Sequence, residues 1–245
     1  MRRAATLVVV AAGALAVGVP LAAPATQECR GLQICVPVAG PWVVVPTAAS
    51  SARPQTEYVL SCPRGFVVGG LDAELASRDI ELTFDGRLGS PVNPGVTTTR
   101  DAVFRATRTA RSSARASFRP HLGCMPASGG GGPRPRTGVS RPLAWAAVPS
   151  VFKPGQPTVR HVKNAALRPG RTQRLVARCA AGERLVGASH AFGFYSAGPP
   201  SPGRAAAVTA TLATGAGRAT VTVRNTLPAG VRAVAQVVAI CGGGQ

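Results

Sequence analysis

The spacing of the six cysteines constrains this 245-residue chain more than any other feature of its sequence. Cys62 and Cys124 are 124 − 62 = 62 positions apart, and Cys179 and Cys241 are likewise 241 − 179 = 62 positions apart. One offset, 179 − 62 = 117, therefore superposes the two pairs. Six cysteines alone leave many pairings open. The repeat narrows them to three predicted disulfides: Cys29–Cys35, Cys62–Cys124 and Cys179–Cys241.

The residues around these cysteines repeat as well. The segment Tyr58–Gly65 aligns without a gap with Leu175–Gly182 at the same offset. Further upstream, Trp42–Pro46 resembles Trp145–Pro149, at an offset of 145 − 42 = 103. We therefore expect a duplicated unit in which each copy begins with a tryptophan-bearing lead strand. The two tryptophans are expected to be core or interface anchors.

Local patterns indicate an all-β fold. Every second side chain is apolar in Ile80–Phe84 and in Ala219–Arg224, as in strands with one buried face. Another strand is predicted over Ala205–Leu212, and no segment has the pattern of a capped helix. We predict two tandem β-sandwich-like repeats, each closed by a disulfide. Each long disulfide removes denatured-state entropy worth about 4 kcal/mol, against about 2 kcal/mol for the small ring.

The ends and composition shifts suggest a domain plan. Arg2 and Arg3, an uncharged apolar stretch and Ala23-Pro24-Ala25 are typical of a secretory signal. No later segment is long and apolar enough to span a membrane. The predicted plan is a signal peptide at 1–25, an N-terminal cysteine loop at 26–39, β module 1 at 40–126, a Gly/Pro-rich linker at 127–140 and β module 2 at 141–245.

The charge is strongly basic, with a formal net charge of +19. Such an excess favours anionic partners through long-range attraction. The arginines are nevertheless spread along strands and linker without a basic run, so solvated faces without a specific ligand are the preferred interpretation. No recognition helix or aromatic-plus-basic strand motif predicts sequence-specific nucleic-acid binding.

No set of residues forms a recognisable catalytic, cofactor or metal site. Cys62 and Cys179 lack a second ligand at zinc spacing, and the histidines (His121, His161 and His190) are far apart in the sequence. Gly187-Ala-Ser189-His190-Ala191 resembles a nucleophile elbow but lacks its second glycine and its strand-to-helix setting. The acidic residues concentrated in the first copy (Asp72, Glu74, Asp79, Glu81 and Asp85) match no calcium loop. We expect them to pair across strands with Arg64, Arg78 or Arg87.

Three stretches carry a resemblance: Cys35–Pro46, Cys62–Gly70 and Gly182–His190. They look like stretches of uncharacterised secreted proteins of actinobacteria. The resemblance covers both copies and implies export, but it brings no activity, cofactor or catalytic residue.

The sequence thus predicts an exported, non-enzymatic binding or structural protein of the cell envelope or extracellular space. Its expected partner is an anionic cell-wall polymer or another envelope protein. The alternative is a secreted hydrolase with a site between the two modules, for which Ser189 and His190 are the candidate residues.

Overall fold

The computed structural model describes residues 26–47, 55–84, 100–109, 116–127 and 158–242. The predicted signal peptide, the linker from residue 128 onward and the segment containing Trp145 lie outside these residues, as does Arg87. Below, the first half means the described part of residues 26–127, and the second half means residues 158–242.

The described chain is almost entirely antiparallel β-structure, which confirms the predicted all-β class. Its elements are β1 Val36–Ala39, β2 Trp42–Val45, β3 Gln55–Ser61, β4 Phe66–Leu75, β5 Ile80–Phe84, β6 Asp101–Arg108, β7 Ala116–Pro126, β8 Thr158–Ala166, β9 Arg171–Arg178, β10 Arg184–Phe194, α1 Pro202–Ala206, β11 Val208–Gly215, β12 Arg218–Asn225 and β13 Ala233–Gly242.

The strands form three sheets. Sheet I has seven strands, in which β4 lies on one side of β7, β1 and β2 lie on its other side, and β10, β13 and β8 follow. Sheet II has the order β3-β6-β5, and sheet III has the order β9-β12-β11. Sheets II and III are small, and each supplies one layer against part of sheet I.

Strand registers in the two halves follow the offset read from the cysteines. Gln55 is opposite Thr107 in sheet II, and adding 117 to both gives Thr172 opposite Arg224, the pair found in sheet III. The pairing of β4 with β7 corresponds in the same way to that of β10 with β13, and each of these pairs contains one register shift at the equivalent place. These matches support a duplicated unit, and the duplication stays an interpretation of them.

The two halves are joined through β2, which pairs with β7 of the first half and with β10 of the second. Its four residues are all buried. Val43 and Val45 belong to the core of the first half, whereas Val44 belongs to the core of the second. The halves therefore share one continuous sheet instead of standing as separate sandwiches.

Strand β8 takes the place on β13 that β1 and β2 take on β7. Val36 is opposite Cys124, and Val159 is opposite Cys241, its counterpart. The position beside β13 is thus occupied by β8, which comes after the predicted lead strand Trp145–Pro149 in the sequence. That predicted lead strand lies outside the described residues.

Helix α1 corrects one sequence prediction. The predicted strand at Ala205–Leu212 is wrong at its start, because Pro202–Ala206 is a short helix and β11 begins at Val208. The Arg204 N–H donates to the Ser201 side chain at 3.4 Å, and Pro202 stands at the start of the helix, where a missing N–H costs nothing. Ser201-Pro-Gly-Arg204 followed by three alanines is a helix-start signal, which strand alternation in the following residues obscured.

The structure contains the disulfides Cys29–Cys35, Cys62–Cys124 and Cys179–Cys241, the same three that the repeat predicts. The two long ones join the end of the first strand of a small sheet to the last strand of its half, across the core. The short one closes a ring that lies on sheet I. Glycines at positions 70 and 123 allow this contact, because a Cβ at Gly70 would lie 1.8 Å from the Glu28 carbonyl oxygen and one at Gly123 would lie 2.1 Å from it.

Sheet II is covered on both faces. Tyr58 and Phe104 pack into the core of the first half on one face. On the other face, Val59 and Val103 pack against Val238 of β13, in the second half. Among the described residues, sheet III is covered on one face only, by the core of the second half, which its inward residues help to build: Leu175, Ala177, Val208, Ala219, Val221 and Val223.

Candidate functional site

The outward face of sheet III is lined with arginine and threonine. Side chains alternate between the two faces of a strand, so the residues between the core positions all point outward. On β9 and β12 they include four exposed arginines, and on β11 they include exposed threonines. The outward residues are Thr172, Arg174, Val176 and Arg178 on β9, Arg218, Thr220, Thr222 and Arg224 on β12, and Thr209 and Thr211 on β11.

The four arginines form two pairs on this face. Arg178 lies directly opposite Arg218, which places their Cα atoms about 5 Å apart. Arg174 is opposite Thr222 and hence diagonal to Arg224, at about 7–8 Å. The two pairs are separated by four residues along β9, about 13 Å. Like charges directly opposite each other destabilise a sheet, so folding alone does not favour this arrangement.

Acidic residues that could neutralise the arginines are almost missing from this part of the chain. Glu183 is the only acidic residue after Asp101. Its Oε2 accepts a hydrogen bond from the Ala180 N–H at 2.7 Å and lies 2.7 Å from His161 Nε2. These two contacts lower the pKa of the Glu183 carboxyl, so it stays ionised and engaged. Within the described second half, no acidic side chain is therefore left over to neutralise the arginine face.

The equivalent face of sheet II has a different composition. Glu57 stands where β9 has Arg174, and it forms an ion pair with Arg105 at 2.8 Å. Ser61 and Asp101, the counterparts of Arg178 and Arg218, are hydrogen-bonded to each other. In the first half this face is balanced in charge and its Val59 and Val103 are buried against β13, whereas in the second half it is cationic and its arginines are exposed.

A second polar cluster fixes the N-terminal ring to sheet I. His121 lies between two carboxylates, with Nε2 2.8 Å from Glu74 Oε1 and Nδ1 3.7 Å from Glu28 Oε1. Asp72 accepts a hydrogen bond from the Gln27 N–H at 2.6 Å. Because each carboxylate holds a protein group next to the Cys29–Cys35 ring, we interpret the cluster as the attachment of that ring.

The predicted pairing of acidic residues with arginine is found, but with other partners. Glu74 lies 3.8 Å from Arg119 on β7, and Asp79 lies 3.3 Å from Arg108 on β6. The expected partners Arg64 and Arg78 precede β4 and β5 in turns, where they are exposed. The ion pairs therefore join neighbouring strands, as cross-strand pairing requires. The predicted arginine partners were wrong because the sequence did not show which strands are neighbours.

A cavity of about 470 Å³ lies at the junction of the halves. It is lined by Trp42, Asp72 and Glu74 from the first half and by residues 197–199 from the second. Trp42 is only 3% exposed, in agreement with its predicted role as a buried anchor. Since Trp42 is covered and both carboxylates already have protein partners, the lining offers little to a ligand.

Ser189 and His190 are not placed for nucleophilic catalysis. They are consecutive in β10, so their side chains point to opposite faces of sheet I. Ser189 lies opposite Val238 and faces sheet II, whereas His190 lies opposite Val237 and faces the core of the second half. Burial lowers the pKa of His190 and so favours its neutral form.

The histidines have separate surroundings. His121 is held by Glu28 and Glu74, His161 by Glu183, and His190 is half-buried in β10. His161 and Glu183 lie close to the Cys241 sulfur. That sulfur is bonded to Cys179, so it is not a thiolate and cannot complete a zinc site of the usual kind.

The arginine face is the feature that sequence reasoning missed. Arg174 and Arg178 are four positions apart, and Arg218 and Arg224 are six apart, so each pair lies on one face of its strand. This even spacing was visible in the sequence. What the sequence did not reveal was that β9 and β12 are neighbours, and that no other described segment covers their outward face.

In the part of the chain that the structure describes, no helix is long and apolar enough to cross a membrane. Comparison with known proteins gives no further guidance, since no family model, curated protein or solved structure matches the chain.

Proposed function

We propose that this chain is an exported, non-enzymatic protein of the cell envelope or extracellular space that binds anionic polymers through the outward face of sheet III. The observation that carries the proposal is the set of four exposed arginines on β9 and β12, without an acidic residue on any of the three strands. A polymer with repeated negative charges can contact both arginine pairs at once, and each contact releases counterions.

The shape of the surface also supports a polymeric partner. A sheet face has no deep cavity, so it gains affinity from many modest contacts spread over an extended ligand. Arginine is suited to this because its planar guanidinium can donate two hydrogen bonds to one phosphate, sulfate or carboxylate group. The threonine hydroxyls between the arginines add further donors and acceptors.

Export is supported by the cysteine chemistry. All six cysteines are oxidised in pairs, and disulfides of this kind persist in oxidising compartments. The predicted signal at 1–25 is consistent with such a location. For the alternative of a secreted hydrolase, the separation of Ser189 and His190 onto opposite faces of β10 removes the catalytic pair on which that hypothesis depended.

The test is a titration of the oxidised protein with long-chain polyphosphate, and with an anionic cell-wall polymer preparation, at two ionic strengths. We expect saturable binding at low salt that weakens steeply as salt rises, because counterion release supplies the affinity. Dextran of similar length serves as the uncharged control. If neither anionic polymer binds at low ionic strength, the proposed function is wrong.

A further inference from the structure

One connection in the second half is much longer than its counterpart. In the first half, β4 and β5 are joined by residues 76–79, whereas in the second half β10 and β11 are joined by residues 195–207. The offset between equivalent strands accordingly rises from 117 to 208 − 80 = 128 at β11. The additional residues include α1 and supply one wall of a small cavity.

This cavity has a volume of about 140 Å³. Arg204 of α1 contributes to one side, and Arg232, just before β13, contributes to another. Tyr195 and Ser196 complete the polar part of its lining. Two arginines from separate connections therefore line one small space.

Arg232 is oriented by contacts within the protein. Its guanidinium carbon lies 5.3 Å from the centre of the Tyr195 ring, a cation–π distance. The Tyr195 N–H donates to the Arg232 carbonyl oxygen at 2.9 Å, which ties the two connections together. An arginine held in this way loses less conformational freedom when it binds a ligand.

The backbone at Arg204 is fixed by the helix. Ser201 caps α1, and prolines at 199, 200 and 202 restrict the backbone that leads into it. The Ser196 hydroxyl donates to the Gly198 carbonyl oxygen at 2.6 Å, which orders the start of the same connection. Among the residues that line this cavity, none is acidic, so its positive charge is not compensated locally.

We propose that this cavity binds one tetrahedral oxyanion, a phosphate or sulfate group, between Arg204 and Arg232. Arginine donates hydrogen bonds in a fork that matches the oxygens of such a group. The cavity holds the equivalent of several waters at about 30 Å³ each, which suits one compact anion and not a polymer. The site is separate from the arginine face of sheet III and goes beyond polymer binding.

The experiment is isothermal titration of the oxidised protein with inorganic phosphate and, separately, inorganic sulfate, at an ionic strength fixed with sodium chloride. We expect saturable binding of at least one of the two ions. Arg204→Gln and Arg232→Gln should each weaken it by about tenfold or more, since each removes a charged donor. Arg232→Lys should recover part of the affinity, because it keeps the charge and loses the fork.

Arg184→Gln is the matched control, because Arg184 is exposed in the same half and does not line the cavity. It changes the net charge equally and should leave the affinity within about twofold of the wild type. Circular dichroism checks that each variant is folded. If Arg232→Gln does not fold, Arg204→Gln alone decides the test. The proposal is overturned if the wild type shows no saturable binding of either ion. It is also overturned if Arg204→Gln binds the ion as tightly as the wild type does. Neither result bears on polyphosphate binding, which is measured separately.

Discussion

Sheets II and III have the same register and opposite surroundings. In sheet II, the outward side chains of β3 and β6 contact β13 of the other half, and their charged residues are paired. In sheet III, the equivalent positions of β9 and β12 have no covering layer among the described residues, and they carry arginine. Two sheets can therefore share the same strand pairing while the outward face of one is an interior surface and that of the other is exposed.

The difference follows from how sheet I curls. Because β2 pairs with strands of both halves, β10 and β13 are brought over the outward face of sheet II. Among the described residues, no strand lies over sheet III in the way that β10 and β13 lie over sheet II. An apolar outward face on sheet III would be exposed to water and prone to association, and arginine and threonine avoid this.

The largest expected difference in stability is between two single variants, one that places a charge on the outward face of sheet II and one that places it on that of sheet III. Val59 and Val176 are equivalent positions with the same residue. Val59→Asp should destabilise the fold by about 3–5 kcal/mol, because an unpaired charge is buried against Val238. Val176→Asp should change stability by less than about 1 kcal/mol, because it lies between Arg174 and Arg178 on an exposed face. Urea denaturation of the oxidised proteins measures both, and equal losses would contradict the claim that only sheet II is covered.

The contact between the halves depends on the buried side chain of Gln236. Its Oε1 accepts from the Val59 N–H at 2.7 Å, and its Nε2 donates to the Val59 carbonyl oxygen at 2.9 Å. Gln236→Leu leaves both backbone groups without a partner, so we expect a loss of about 2–3 kcal/mol in unfolding free energy.

Asn164→Ala is the control for this substitution. Asn164 accepts from the same Gln236 amide but is exposed on β8, so its removal should cost less than about 1 kcal/mol. If Gln236→Leu is no more destabilising than Asn164→Ala, the two halves are not held together at Val59.

The smallest expected effect has the opposite sign. Arg178→Glu replaces a like-charged pair with an opposite pair across from Arg218, and should stabilise the fold by a few tenths of a kcal/mol. The same variant should bind polyphosphate more weakly than the wild type. Thermal denaturation and the polyphosphate titration are measured on one preparation. If the variant is less stable than the wild type and binds polyphosphate with the same affinity, the arginine pair stabilises the fold and does not contribute to binding.

The sequence predicted what depends on local pattern and on the repeat. The alternation in Ile80–Phe84 and the turn before Phe66 predict β5 and β4 with their observed bounds, because each strand has turn residues on both sides. The offset of 117 also anticipates the register of sheet III, since equivalent residues pair equivalently.

Tertiary relations were beyond such reasoning. That β2 pairs with strands of both halves depends on the path of the whole chain, and the only local sign is that Trp42–Val45 has no polar position. Whether Arg174 faces solvent or another layer likewise depends on which sheet lies over β9. The alternation of arginine with apolar residues in β9 would look the same in either case, so the sequence alone cannot tell an exposed face from a covered one.

The central claim is that sheet III is the surface that binds anionic polymers. Its most direct test compares two quadruple variants with the same loss of charge. The first replaces Arg174, Arg178, Arg218 and Arg224 with glutamine, and the second replaces the exposed arginines Arg30, Arg64, Arg78 and Arg184. Polyphosphate affinity is measured at several salt concentrations.

We expect the sheet III variant to lose at least about tenfold in affinity and to show a shallower salt dependence, because it contacts fewer phosphates. The control variant should stay within about threefold of the wild type at physiological salt, where distant charges are screened. Equal losses in the two variants would mean that binding follows net charge alone, and would contradict the assignment of sheet III as the binding surface.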